Sequence, residues 1–324
     1  MCTAITYKTK NHYFGRNLDI NKTFNESVTI TPRGYSIACK KMPAIKTRYA
    51  MIGIATCVED YPLYYDATNE KGLSMAGLNF PGNACYREYK ENMDNVTPYE
   101  LIPWILSECK NIKEAKNLIK KANIINTPFN DSLPLAPLHW IISDEKESVV
   151  LEPMEDGIKI YDNPIGILTN NPTFDIQLFN LNNYINLSAE TPANRFCKDI
   201  NLKTYSLGMG AIGLPGDSSS TSRFVKAAFT KLNSELLESE TESINQFFHI
   251  LASVAMPKGN VKTSEGDSEY TAYSSCCNTT KGIYYYTTYN NSMITAVDMN
   301  KEDLDTQKLI SYPLITESQI KEQN

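Results

Sequence analysis

Residues 1–19 read MCTAITYKTKNHYFGRNLD, and the interpretation of the whole chain starts from them. Cys2 to Tyr7 alternates in strand fashion and is rich in β-branched and aromatic residues; residues 12–19 repeat the pattern after a short polar link, so the spacing predicts an antiparallel hairpin. Removal of an initiator Met is favoured before a small side chain, which makes Cys2 the first residue, carrying both a thiol and a free α-amine. With ordinary pKa values of about 8.5 and about 7.7–8.0, the thiol is a good nucleophile and the amine a general base near neutrality. A terminus tied into a sheet does not fray. The hairpin returns Arg16 and Asp19 beside Cys2: Arg16 favours thiolate over thiol, and Asp19 orients and hydrogen-bonds the α-ammonium.

Outward from the hairpin, further strands are expected at 28–31, 49–58 and 72–80. A helical pair follows at 98–109 and 112–122, the first opened by a capping box over Thr97-Pro98-Tyr99-Glu100. Strands return at 138–143, 148–153 and 157–161, helices at 221–237 and 242–255, and a last meander at 270–278, 282–289 and 293–298. Strands and helices in blocks, without βαβ alternation, predict an α+β architecture: two antiparallel sheets between helical layers, in one domain over 1–324.

Composition narrows the function classes. Of 324 residues, 42% are hydrophobic and 21% charged, as in globular proteins, which excludes disorder and fibrous repeats. The 31 Lys+Arg against 37 Asp+Glu, net charge −6, leaves no basic footprint for nucleic acid and argues against a membrane-surface protein. The start lacks a basic n-region and an apolar h-region, so the chain is expected to stay in the cytoplasm. There the eight cysteines stay reduced; Cys57, in MIGIATCV, and Cys109, ending LIPWILSEC, are expected to be inert core thiols. No C-x-x-C occurs and His12, His139 and His249 stand far apart, so no metal is expected. Gly208-Met209-Gly210-Ala211-Ile212-Gly213 matches a dinucleotide fingerprint, but Leu214-Pro215-Gly216-Asp217 follows where a helix is required. The class that would need that helix is a nucleotide-dependent oxidoreductase. Another class is a non-enzymatic small-molecule binder, with the Cys2 amine blocked.

The opening Met1-Cys2-Thr3, followed by Phe14-Gly15-Arg16-Asn17-Leu18-Asp19, resembles the choloylglycine hydrolases, the N-terminal-nucleophile family of bile salt hydrolases and penicillin V acylases. The resemblance continues in order through Asn69-Glu70-Lys71-Gly72-Leu73, Ala76-Gly77-Leu78-Asn79-Phe80-Pro81 and Leu168-Thr169-Asn170-Asn171-Pro172-Thr173-Phe174. Gly213-Leu214-Pro215-Gly216-Asp217, Ser222-Arg223-Phe224 and Lys281-Gly282-Ile283-Tyr284-Tyr285-Tyr286 complete it. It implies an αββα sandwich of the N-terminal-nucleophile hydrolase type, Cys2 as nucleophile with Arg16 and Asp19 beside it, and no cofactor. It also implies Asn79 and Asn170 as polar groups around the scissile amide and Arg223 as the site's further arginine. The chemistry fits: two amides supply an oxyanion hole for a tetrahedral intermediate.

Within the family, Gly77-Leu78-Asn79-Phe80-Pro81 resembles the bile salt hydrolase side, where the penicillin acylases tend toward Tyr at the Asn79 position. The matched motifs put Leu18, Val58, Tyr65, Phe129 and Leu133 near the acyl group, an apolar set suited to a steroid face. The expected substrate is a glycine- or taurine-conjugated bile acid; the alternative with the same chemistry is penicillin V or another N-acyl amide. The family also implies a homo-oligomer, a tetramer, and the aromatic-rich final meander is a candidate interface.

Overall fold

A computed structural model describes residues 1–324. In chain order the strands of the two main sheets are β1 (Cys2–Lys8), β2 (His12–Ile20), β3 (Ser27–Thr31), β4 (Met51–Val58), β5 (Tyr61–Asn69), β6 (Ser74–Asn79) and β7 (Leu138–Ser143). They continue with β8 (Ser148–Met154), β9 (Gly157–Asp162), β10 (Ile167–Leu168), β11 (Ser268–Asn278), β12 (Ile283–Thr288), β13 (Asn291–Asp298) and β14 (Ile310–Pro313). The helices are α1 (Leu101–Glu108), α2 (Ile112–Ile119), α3 (Phe174–Asn180), α4 (Ser220–Leu232) and α5 (Glu240–Ala252).

The first sheet runs β10-β1-β2-β11-β12-β13 and the second β9-β8-β7-β6-β5-β4-β3-β14, and every pairing along both is antiparallel. Strand alternation divides the second sheet between two cores. Val28, Ile30, Ile52 and Ile54 join the apolar cluster shared with the first sheet, while Met51, Ala55, Ala67 and Met75 join the cluster built on Leu101, Ile105, Ile112 and Ala115 of α1 and α2. Phe224, Ala227, Phe247 and Ile250 of α4 and α5 pack with the first sheet. The layers are helix, sheet, sheet, helix: the αββα sandwich.

Local chemistry moves several boundaries from those expected. Glu100 does reach back to the Thr97 N–H, at 2.8 Å, but Thr97 Oγ1 finds no partner, so only half the capping box forms and α1 begins at Leu101. The other Glu100 carboxylate oxygen accepts the Lys40 N–H at 2.7 Å, which fastens a distant loop to the helix start. Helix α2 stops at Ile119 because Ala122–Ile124 leaves to pair, in parallel, with Asp94–Val96. Helix α4 ends at Leu232, before the 237 expected, and α5 carries a complete capping box between Ser239 and Glu242. Cys57 is exposed, contrary to expectation, beside the hydroxyls of Thr29 and Ser311. The layer covering Met51 and Ala55 ends before it, a limit invisible in the apolar run.

Two features hold the hairpin in place. At Gly15 a Cβ would lie 2.0 Å from Ser275 O, so only glycine lets β2 approach β11 this closely. At the start of β2 the buried His12 ring lies 2.9 Å from Thr279 Oγ1 through Nδ1 and 3.3 Å from Ser143 Oγ through Nε2. Burial, helped by the charge of Lys8, pulls His12 down to about 4. Between roughly pH 6.5 and 4 the unfolded chain therefore takes up a proton that the folded chain refuses. That contribution to stability is full above the unfolded pKa and is lost as pH falls through the folded one. We expect wild-type protein to lose about 2 kcal/mol more than His12→Gln between pH 7 and pH 4.5, read from urea midpoints.

Candidate active site

The hairpin register sets Cys2 opposite Leu18 and Ala4 opposite Arg16, so Cys2, Leu18 and Arg16 share one face at the edge of the sheet interior. Cys2 is 4% exposed. Its N–H donates to Asn170 Oδ1 at 2.9 Å. Arg223, in the first turn of α4 and 2% exposed, binds the chain start and the Asn170 loop together. Its Nη1 donates to Cys2 O at 2.5 Å and Thr3 Oγ1 at 2.6 Å, its Nη2 to Asn170 Oδ1 at 2.7 Å, and its Nε to Ser218 O at 3.0 Å. Asn170 Nδ2 in turn donates to Asn79 O, at 2.7 Å, across the gap between the sheets. One connected set of hydrogen bonds thus joins Cys2, Asn79, Asn170 and Arg223.

The Asn170 segment is itself fixed from behind. Its backbone N–H donates to Ser220 Oγ at 2.8 Å. Buried His139 lies 2.9 Å from Thr169 O through Nε2 and 3.2 Å from Glu152 Oε1 through Nδ1, with the Phe80 ring stacked on it at 4.1 Å. His139, Glu152 and Ser220 did not emerge from the sequence, because their partners lie up to 50 or more residues away and no local motif joins them.

Asp19 and Arg16 supply charge on either side of Cys2. Asp19 Oδ1 accepts Thr271 Oγ1–H at 2.6 Å, and its Oδ2 is buried without a partner. Burial raises the Asp19 carboxyl, against the opposing pull of Arg223 and the Thr271 hydrogen bond. The α-ammonium of Met1 donates to Asp19 O at 2.8 Å and pairs closely with Glu269. Burial lowers that amine below its ordinary value, opposed by Cys2 and Asp19 and reinforced by the two arginines. The Arg16 guanidinium, fully buried, donates from Nη1 to Tyr65 O at 2.9 Å and Gly77 O at 2.6 Å, and its Nη2 has no partner. Burial opposes its charge, but Cys2, Tyr273, Asp66 and Asp19 outweigh that and hold it above its ordinary value.

A cavity of about 440 Å³ opens beside Cys2, bordered by Arg16, Asp19 and Asn79 at its polar end. Leu18, Tyr65, Phe129 and Leu133 line it. Val58 does not: it closes the β4–β5 turn opposite Tyr61, and Thr56, two residues earlier on the same strand, borders the cavity instead and hydrogen-bonds Tyr65. The sequence reading also left out Phe24, Leu63, Tyr99, Ile102, Leu135 and Leu138, which border it too. Two of the bordering residues, Tyr99 and Phe129, form an aromatic trio with Tyr61, centroids 5.2–5.9 Å apart. The apolar, proline-punctuated stretch Leu133-Pro134-Leu135-Ala136-Pro137-Leu138 was the available signal, since such leucines cannot all enter one strand. A larger hollow, about 610 Å³ and bordered by Cys85, Arg87, Ile119 and Ile158, shares no residue with this one. The Gly208–Gly213 segment forms a single 3₁₀ turn at Met209–Ala211, and no helix starts until Ser220, so it lacks the context of a dinucleotide site.

Residues 2–312 match the family model of linear amide C–N hydrolases, choloylglycine hydrolase family. The chain is 56% identical to the bile salt hydrolase/transferase of Lactiplantibacillus plantarum over 319 residues, 98% of each chain. It is 37% identical to the conjugated bile acid hydrolase of Lactobacillus gasseri over 316 residues, 96% of this chain and 100% of that one. A crystal structure of a mutant conjugated bile acid hydrolase from Clostridium perfringens superposes with a TM-score of 0.93 at 39% identity, covering 100% of both chains. Penicillin V acylase from Agrobacterium tumefaciens shares the fold, with a TM-score of 0.75 at 21% identity over 96% of this chain and 90% of that one.

Asn170 is the joint of the network, so its loss leaves the buried Cys2 N–H and Arg223 Nη2 unpaired and frees the more exposed Asn79 O. Each such group costs about 1–3 kcal/mol, not additively. Asn170→Ala is expected to lose at least about 2 kcal/mol of unfolding free energy in urea. Asn171→Ala, whose amide reaches only Pro81 O at an exposed position, is expected to lose less than about 1 kcal/mol.

Proposed function

This chain belongs to the choloylglycine hydrolase family of linear amide C–N hydrolases, and from that premise we propose that it hydrolyses the amide bond of glycine- or taurine-conjugated bile acids. The observation that carries the reading is that Cys2 and Asn79 border a mainly apolar cavity of about 440 Å³ while Asn170 and Arg223, outside its wall, hold them by hydrogen bonds. That volume lies in the usual small-molecule range of about 300–1,000 Å³.

In this reading Met1 is removed and the nitrogen now bonded to Asn170 Oδ1 becomes the α-amine. The buried Asp19 Oδ2, which lacks a partner, and Asn170 Oδ1 orient its lone pair and protons. Cys2 Sγ adds to the amide carbonyl, forming the C–S bond, while the thiol proton passes to the α-amine. The carbonyl oxygen takes the negative charge and is met by amide N–H groups of Asn79 and by the second Nδ2 hydrogen of Asn170, the first being held by Asn79 O. The amine then protonates the leaving nitrogen as the C–N bond breaks, and glycine or taurine departs. Water adds to the thioester, giving a proton to the amine; the C–S bond breaks, the bile acid leaves and the proton returns to sulfur. An amino acid in place of water would close the reverse acyl transfer. Arg16 and Arg223 bring two positive charges near Cys2, and Arg223 also holds the Cys2 carbonyl so that the attacking sulfur is aimed.

Leu18, Tyr65, Phe129 and Leu133, with Ile102 and Leu135, offer an apolar wall to a steroid face. The second reading, an acylase for penicillin V or another N-acyl amide, keeps every catalytic role and changes only the acyl group.

The eight cysteines are all unpaired, which suits the reducing cytoplasm as the working compartment. No helix is long and apolar enough to cross a membrane. We further propose a homo-oligomer, a tetramer by family resemblance. Nine of the eighteen exposed large hydrophobic residues fall between Ile176 and Ile212, which makes that segment the better interface candidate. In the final meander Tyr273, Tyr284 and Tyr286 point into the core, while Tyr289 and Met293 are exposed.

Amine release from glycocholate, taurocholate and penicillin V, measured side by side on protein whose intact mass lacks one methionine, tests the function. The expected result is cleavage of both bile salts well above penicillin V, with at least a 1,000-fold loss in Cys2→Ala, of the order seen when a covalent nucleophile is removed. Penicillin V cleaved best overturns the steroid assignment. Undiminished turnover by Cys2→Ala overturns the mechanism.

A further inference from the structure

Behind the site, between the two sheets, lies a polar cluster that the mechanism above does not use. Asp66 of β5 is 1% exposed. Tyr273 OH donates to its Oδ1 at 2.9 Å; Tyr284 OH donates to its Oδ2 at 2.5 Å, and Ser275 Oγ–H reaches the same oxygen at 3.5 Å. The acceptor sits on the second sheet and all three donors on the first, so the cluster ties the sheets together across their apolar interface. A carboxyl so deeply buried is costly to ionise without a cation, and none of these three donors is one.

The cation is Arg16. In the second sheet Asp66 pairs with Ala76, and the two carbonyls that accept from Arg16 Nη1 belong to Tyr65 and Gly77, the neighbours of that pair. The backbone N–H of Arg16 donates to Ser275 Oγ at 3.2 Å, the same hydroxyl that turns to Asp66. Thus Asp66 is joined to the Arg16 backbone through one hydroxyl and lies next to both carbonyl anchors of its guanidinium.

We propose that Asp66 is a positioning residue for catalysis: a buried counter-charge near Arg16 that moderates how strongly its guanidinium stabilises the Cys2 thiolate. The proposal rests on the reading of Cys2 as nucleophile. Burial raises the Asp66 carboxyl, while Arg16 and the three hydroxyl donors, led by Arg16, pull it back toward the ionised form. The other groups facing the pair are Tyr273, Ser275 and Cys277 from β11 and Tyr284 from β12; Cys277 is pushed up to about 12 by burial and stays a thiol. Around Cys2 the charges are Asp19, Arg16, Arg223, Glu269 and the terminal amine. With Asp66 ionised, Arg16 is partly neutralised. Without it, the full positive field falls on Cys2, lowering both its thiol and its amine. A thiolate of lower basicity is a weaker nucleophile, by roughly threefold per unit of pKa, so the counter-charge sets the balance between the amount of thiolate and its reactivity.

The test is the rate of Cys2 alkylation by iodoacetamide against pH, followed on the N-terminal peptide by mass spectrometry, in wild type and Asp66→Asn. It reads the thiol without any bile salt, so failure of the substrate assignment leaves the result intact. A parallel bile salt assay separates the two. The expected outcome is a midpoint lowered by about half a unit to one unit in Asp66→Asn, with the acid limb of the hydrolysis pH profile displaced in the same direction. Tyr284→Phe, which weakens the hold on the ionised carboxylate, is expected to shift the midpoint in the same direction by less, and it serves if Asp66→Asn does not fold. A role limited to stability lowers the melting temperature and leaves the midpoint in place. An unchanged midpoint in folded Asp66→Asn, or in folded Tyr284→Phe where the first variant does not fold, overturns the proposal.

Discussion

Two arginines buried without a touching carboxylate govern the arrangement of this protein. Arg16 is 0% and Arg223 is 2% exposed, and taking a guanidinium out of water costs several kcal/mol unless its donors find partners. The fold meets that demand with carbonyls: Tyr65 O and Gly77 O for Arg16, Cys2 O and Ser218 O for Arg223. Those acceptors belong to both sheets, the chain start and the approach to α4. Satisfying the two cations therefore fixes the relation among the very segments that carry Cys2, Asn79 and Asn170.

The parts of the fold legible in the sequence were those with local signatures. The β1–β2 hairpin, the final meander and the helix pairs all have period-2 or period-3.6 patterns of their own, and blocks of like elements without βαβ alternation led to two antiparallel sheets. Boundaries went astray where a distant partner decided them. Glu100 was read as half of a capping box, yet one of its oxygens serves Lys40, sixty residues earlier. Cys57 sits in an apolar run, but the layer that covers Met51 and Ala55 does not extend over it. Neither fact has a trace in the neighbouring residues.

The site divides in the same way. Cys2, Arg16 and Asp19 are close in sequence, so the hairpin alone brought them together on paper. Asn79, Asn170 and Arg223 entered only through a family resemblance, because nothing local says that residues 91 and 53 positions apart share hydrogen bonds. The support behind them, His139 with Glu152 and Asp66 with its tyrosines, was not visible at all: each is a buried polar group inside an apolar-looking strand, and only the facing element reveals what it serves. Leu18, Tyr65, Phe129 and Leu133 border the cavity, and Val58 gives way to Thr56 because the β4–β5 turn carries it past the opening.

The account stands on a thioester at Cys2. Rapid quenching of the enzyme in acid during turnover of glycocholate, followed by mass mapping of the N-terminal peptide, tests this most directly. The account predicts a peptide that begins at Cys2 and carries the cholic acyl group on sulfur, appearing before product reaches its steady rate and lost on treatment with hydroxylamine. Turnover with an unmodified Cys2 peptide at every quench time, or an acyl group found on another residue, would contradict it.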